Sequence, residues 1–405
     1  MSPQTGPEGR SSPRPAQAES RARPRLALLL PGGGARSAYQ VGVLKAIASW
    51  LPAGTPLPFA ILCGTSAGGI LAAVLAAYAP RFRMGAGALE RTWRSLHVDQ
   101  VFRSGNRTML RSGAQVLASM LSGGWLVPSP RSVLDTAPLR HLLEWRVNLA
   151  RIQQALDRGW LDALVLNATS YGNGESVSFV QSAQPFAAWE RTGRRGLAGE
   201  ISLDHLMASA AIPFLFPPVR VEGTWFGDGA MRQVAPLSPA IHLGADRIFV
   251  IGVRERGRAP GHVRGTQAPT FGQVAGFMLD TLFMESLDAD LERLERVNRL
   301  LGHGNPQAGA LRRVETLVLQ PSGDLSAEAE RHTADLPASV RALFRVLGAG
   351  RGAGAFKSVL MFEARYATRL MELGMADAEA RREEILAFIE PPAAGSGQEQ
   401  GAQSQ

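Results

Sequence analysis

Five apolar residues that run straight into three glycines, in "LALLLPGGGARSAYQVGVLKAI" from Leu26 to Ile47, restrict this chain more than any other feature. A short apolar run ended by turn residues predicts a buried strand, and Val41, Leu44, Ala48 and Leu51, at helical spacing, predict an amphipathic helix after it. Gly32, Gly33 and Gly34 form the joint, where the backbone can turn tightly and aim free N–H groups at one point. Two chemistries use such a joint: a phosphate cradled at a helix N-terminus, or an oxyanion held during acyl transfer.

The same alternation continues along the chain. Apolar runs at Phe59–Cys63, Leu161–Ala168, Ser176–Gln181, Val219–Glu222 with Trp225–Phe226, Arg247–Val253 and Glu315–Gln320 predict further strands, and helical patterns fall between most of them. The expected fold is α/β, with a mostly parallel central sheet covered on both faces. Ala67–Ala77 is apolar all round and reads as a buried helix. After Gln320 only helical patterns remain, Phe356–Leu373 and Ala376–Ile389 among them, and Gly374 is expected to separate those two. The resulting division is a tail over 1–25, a catalytic domain over 26–325, a helical C-terminal appendage over 326–390 and a low-complexity tail over 391–405.

Composition narrows the chemistry. The only cysteine, Cys63, leaves no intramolecular disulfide and no cysteine zinc site, and neither an HExxH nor a calcium-loop pattern occurs, so a metal-independent and cofactor-free mechanism is expected. The net charge is +8, yet only two of the 43 basic residues, Lys45 and Lys357, are lysines. Coding bias toward arginine accounts for that, and no nucleic-acid recognition motif accompanies the arginines, so no nucleic-acid partner is expected. The first 25 residues lack the apolar core of a signal peptide, and the longest apolar run, Gly69 to Pro80, is too short to span a bilayer. A cytoplasmic protein, with peripheral membrane contact as an option, is the expectation.

The second informative stretch is "FAILCGTSAGGILAAVLAAY", where Gly64-Thr65-Ser66-Ala67-Gly68 joins a strand to the buried helix. A G-x-S-x-G pentapeptide decides little by itself; a strand, a sharp turn and a helix around it are what a nucleophile elbow requires. Asp228 lies between two glycines after a short strand, in "VEGTWFGDGAMRQVAPLSPAI", where a carboxylate can be held at a strand end. Each piece alone also fits plain turn chemistry. Together they would bring three strand-end loops to one sheet edge.

In these residues the chain resembles the patatin-like phospholipases, a family of serine acyl hydrolases. The family pattern appears as "GGGARS" at Gly32–Ser37, "GTSAG" at Gly64–Gly68 and "DGA" at Asp228–Ala230, with the family-like segment "ASAAIPFLFPPV" from Ala208 to Val219 before the last. One departure is Ser37, where the pattern has glycine. The resemblance covers roughly Leu26 to Val253 and implies a three-layer α/β/α fold, Ser66 as nucleophile, Asp228 as its base, and an oxyanion hole from Gly32, Gly33 and Gly34. A phospholipid or other fatty-acyl ester would be the substrate, with hydrolysis of the phospholipase A or lysophospholipase kind. The glycine loop then reads as an oxyanion hole, since it lacks the Lys-Ser/Thr of a P-loop and the spacing of G-x-G-x-x-G. Arg36, beside that loop, is a candidate for meeting a lipid phosphate, or for an ion pair within the fold.

Three alternatives stay open at this point. Ser66, Asp228 and His242 occur in the chain order of an α/β-hydrolase triad. A non-catalytic lipid-binding role would keep the pocket without the chemistry, and an acyltransferase would pass the acyl group to an alcohol. Separately, Leu110, Leu117, Leu121 and Trp125, with Arg103, Arg107 and Arg111 upstream, place an interfacial patch, a lid or an ordinary core helix over 109–130.

Overall fold

The computed structural model describes residues 24–103, 132–255, 268, 270–302, 311–346, 348–350 and 353–390. The expected patch over 109–130 lies outside them, as do 1–23 and 391–405. Among the described residues ten strands form one sheet: β1 (Leu26–Leu30), β2 (Ile61–Thr65), β3 (Ala163–Ser170), β4 (Ser176–Ser182), β5 (Glu190–Arg191), β6 (Arg194–Ala198), β7 (Val219–Val221), β8 (Thr224–Asp228), β9 (Arg247–Ile251) and β10 (Glu315–Leu319). The order is β10-β9-β1-β2-β3-β4-β6-β5, with the β7–β8 hairpin attached to β3. The five strands from β10 to β3 are all parallel, and antiparallel pairing enters only beyond β3. The expected strands are present, with β2 and β3 starting two residues later; the edge pair β5–β6 shows no apolar run and was not anticipated.

Successive residues of a strand point to opposite faces, so β1 splits its side chains between two cores. Leu28 and Leu30 join Leu62, Leu164 and Phe249 beneath α1 (Ala38–Trp50), α2 (Ala67–Ala77) and α3 (Phe82–Arg94). Ala27 and Leu29 join Cys63, Val165 and Val250 on the other face. There they meet Leu287 and Leu294 of the long helix Phe271–Gly302. This is the three-layer α/β/α arrangement that strand and helix alternation implies.

The first layer also carries α4 (Ala137–Arg146) and α5 (Leu149–Asp157), and it is completed from the C-terminal region, which is helical as expected. The elements that matter here are α6 (Leu325–Arg331), α7 (Gly354–Leu360), α8 (Ala364–Ala380) and α9 (Arg382–Ile389). Gly374 does not break a helix; it lies inside α8, and the breaks fall instead at Met361–Glu363 and at Arg381. The reason is packing against α1. A Cβ at Gly374 would sit 2.2 Å from the Tyr39 carbonyl oxygen, and one at Gly42 would sit 2.1 Å from that of Met371. Each helix supplies a glycine so that the two backbones can touch. At the other end, Arg25 is tied into the fold through its N–H to Asp246, at 2.8 Å, and through an ion pair with Asp162. Among the described residues no helix is long and apolar enough to cross a membrane.

Candidate active site

Sheet register places the candidate residues at one level. Leu30 of β1 lies opposite Gly64 of β2, Thr65 opposite Asn167 of β3, and Asp228, at the end of β8, opposite Ala168. The loops leaving β1 and β2 therefore meet the last residue of β8 at the carboxyl ends of parallel strands, where open α/β sheets form their crevices.

Ser66 occupies the sharp turn between β2 and α2. Its backbone has φ 55° and ψ −131°, a left-handed conformation that costs a non-glycine residue on the order of 1–3 kcal/mol. Such strain persists only where neighbours fix it. The Ser66 N–H donates to the Ser209 hydroxyl at 3.0 Å, and that hydroxyl donates onward to the Asn167 carbonyl at 2.7 Å. Thr65 donates to Gln233 Oε1 at 2.7 Å and accepts from Asn167 Nδ2 at 3.1 Å, while Ser178 donates to Asn167 Oδ1 at 2.8 Å. This chain of buried polar groups stiffens the elbow from the sheet side.

Asp228 is held as firmly. Its N–H donates to the Ala211 carbonyl and its own carbonyl accepts from the Thr169 hydroxyl. The carboxylate Oδ1 accepts from the Ala230 N–H at 2.9 Å, and Oδ2, also buried, has no hydrogen-bond partner. Burial penalises the charged form and pushes the Asp228 pKa up to about 7, against a smaller downward pull from the Ser66 hydroxyl and the Ala230 N–H. A carboxyl of that basicity can take a proton from a hydroxyl near neutral pH.

The glycine loop closes the third side. Gly33 is extended and Gly34 is left-handed at φ 56°. The N–H groups of Gly32, Gly33 and Gly34 are donated to no acceptor among the described residues. Gln40 ties the loop down, donating to the Pro31 carbonyl at 3.1 Å and to the Ile251 carbonyl at 2.8 Å. Ser37 adopts φ −64° and ψ −10°, ordinary helical angles, so the position needs no glycine and α1 follows directly. Its hydroxyl is buried without a partner.

A narrow cavity of about 70 Å³ opens at Ser66 and Gly34. Its walls include Ile70, Val74, Trp93, Leu143, Ile212 and Phe216, and apart from Ser66 the polar side chains lining it are Thr92 and Arg146. The site can thus present the Ser66 hydroxyl to a group whose apolar part lies in that cavity. Arg36 does not line it: the side chain is 3% exposed, and its guanidinium donates to the Ser358 hydroxyl at 2.7 Å and the Ala355 carbonyl at 3.1 Å. The expectation that Arg36 meets a substrate phosphate gives way to this buried engagement. His242 stacks on Trp189, ring centroids 4.8 Å apart, and neither carboxylate oxygen of Asp228 bonds to a described histidine, so the structure assembles no triad from them. No sequence pattern marks Asn167, Thr169 or Gln233. Only Ser209 had a signal, since it lies in the family-like segment beginning at Ala208.

The model of the patatin-like phospholipase family matches residues 28–241. A cGAMP-activated phospholipase of Pseudomonas aeruginosa is 29% identical over 209 residues, 52% of this chain and 53% of that protein, so the chain spans about half the length of the curated relative it matches. Among solved structures, human GIVD cytosolic phospholipase A2 in complex with methyl γ-linolenyl fluorophosphonate is 15% identical, covering 90% of this chain and 59% of that one, with a TM-score of 0.43. VipD from Legionella pneumophila is 12% identical, covering 88% and 72%, with a TM-score of 0.29.

Proposed function

Because the chain belongs to the patatin-like phospholipase family, we propose that it is a lipid acyl hydrolase, of phospholipase A or lysophospholipase type, working through an acyl-serine at Ser66. The Ser66 oxygen adds to the ester carbonyl carbon while its proton passes to Asp228. Gly32, Gly33 and Gly34 offer N–H groups to the oxygen that becomes negative, and the N-terminus of α2 adds its partial positive charge. Collapse of the tetrahedral species breaks the C–O ester bond, and Asp228 returns the proton to the leaving alkoxide. Water, deprotonated in turn by Asp228, then releases the fatty acid and restores the serine. The single observation that carries this reading is a strained, buried serine that opens on an apolar cavity beside Gly34, with the raised-pKa carboxyl of Asp228 acting on its hydroxyl.

The test is intact-mass spectrometry after incubation with a fluorophosphonate. One adduct on the wild type that vanishes in Ser66→Ala and forms slowly in Asp228→Asn is the expected result; an adduct that persists in a folded Ser66→Ala would overturn the assignment. Peripheral contact with a lipid surface, in a cytoplasmic setting, is part of the same reading. Flotation of the purified chain with liposomes checks it, and a chain that stays at the bottom of the gradient would refute that contact.

A further inference from the structure

We propose that α7 is a brace for the glycine loop and that Arg36 is the positioning residue through which it acts. The inference rests on the reading of Gly32–Gly34 as oxyanion donors and adds to it what keeps those donors in place. Three successive glycines have no side chains to lock them, and freedom that helps a loop turn is harmful in a device that must hold N–H groups still. Something outside the loop has to supply rigidity.

The structure shows where it comes from. The space a Gly34 Cβ would occupy is filled by the backbone of α7, with the Val359 carbonyl oxygen 2.2 Å from that point and its carbonyl carbon 3.1 Å away. Two residues further on, the Arg36 guanidinium crosses to the same helix, donating through Nε to Ser358 Oγ and through NH2 to the Ala355 carbonyl. The Ser358 hydroxyl in turn donates to the Ala355 carbonyl at 2.8 Å, so it is oriented to accept from Arg36. A guanidinium taken almost wholly out of water is costly to leave unbonded, which makes this engagement specific in geometry. The helix is itself anchored: Lys357, with its side chain 4% exposed, pairs with Glu330 of α6 at 2.7 Å. The residues that Gly34 and Arg36 meet on this side all lie beyond position 241, where the family match ends. Since Arg36 is absent from the cavity wall, its effect on turnover passes through the loop and not through a contact with substrate.

The experiment uses the full chain with a neutral short-chain p-nitrophenyl ester and a fluorophosphonate, comparing Arg36→Ala, Arg36→Lys and Ser358→Ala. Arg36→Ala is expected to lower kcat about 10- to 100-fold with KM within about twofold, and to slow labelling of Ser66 in parallel. Added guanidinium should restore part of the rate, a response that general loss of stability would not produce. Arg36→Lys keeps the charge but not the fork, and should resemble Arg36→Ala. If Arg36→Ala does not fold, Ser358→Ala carries the test, with an expected loss of about fivefold. A raised KM with intact kcat would make Arg36 a substrate contact and overturn the brace, as would unchanged kcat and labelling in folded variants. If the wild type takes no label and turns over no ester, the acyl-hydrolase reading falls and the brace falls with it.

Discussion

Ser66 is fixed from within the sheet it stands on, through Ser209 and Asn167, whereas Gly34 is fixed from the side by a helix that starts at Gly354. The first arrangement is compact: β2, β3 and the segment before β8 hold the elbow, and all lie within the family match. The second reaches outside it. The two supports therefore come from different parts of the chain, one inside the family match and one beyond it, and they can be broken separately.

The largest effect is expected at the carboxyl between them. Asp228→Asn should lower kcat by about 10²–10⁴-fold, the usual worth of a general base. In the wild type, kcat/KM should rise about tenfold per pH unit below about 7 and level off above it, as Asp228 loses its proton. Stability moves the opposite way. The folded pKa lies above the unfolded value, so the contribution of Asp228 is fully present below the unfolded pKa and is lost as pH rises through about 7. A shift of that size corresponds to about 4 kcal/mol at pH 8. Asp228→Asn should therefore melt above wild type at pH 8, with the gap narrowing toward pH 5; an equal Tm at both would contradict the buried charge.

Next comes the loop. Gly34→Ala would put a methyl group onto the α7 backbone and force an unfavourable φ, so displaced donors should cost about 100-fold or more in kcat, with a lower Tm. Wild-type turnover in that variant would mean the loop is not held as described. The smallest effect is expected on the sheet side. Ser209→Ala leaves the Ser66 N–H and removes the donor to Asn167, a loss of about 1–3 kcal/mol in stability measured by denaturant unfolding. A drop in kcat larger than that of Gly34→Ala would reverse the comparison.

How much of this was legible in sequence follows the same division. The β1 joint and the β2 elbow are local patterns of apolar runs, glycines and helical spacing, and each is found where the pattern lies. Asp228 was legible as a carboxylate at a strand end, but not its pairing opposite Ala168, which depends on how β8 folds back. The edge strands β5 and β6 are short and carry charged residues, so they lack the apolar signal that buried strands show. Gly374 misled because a glycine that breaks a helix and one that lets two helices touch look alike until the partner is known. Arg36 misled for a related reason: its partners lie 319 and 322 residues away.

That separation has a consequence for how the protein is made. The glycine loop and the serine leave the ribosome well before Ser358 and Val359 do. Contacts so distant in sequence form late in folding. A nascent chain that has passed Ser66 but not yet α7 carries the serine while the space beside Gly34 is still unfilled, so the order of synthesis separates the two supports in time.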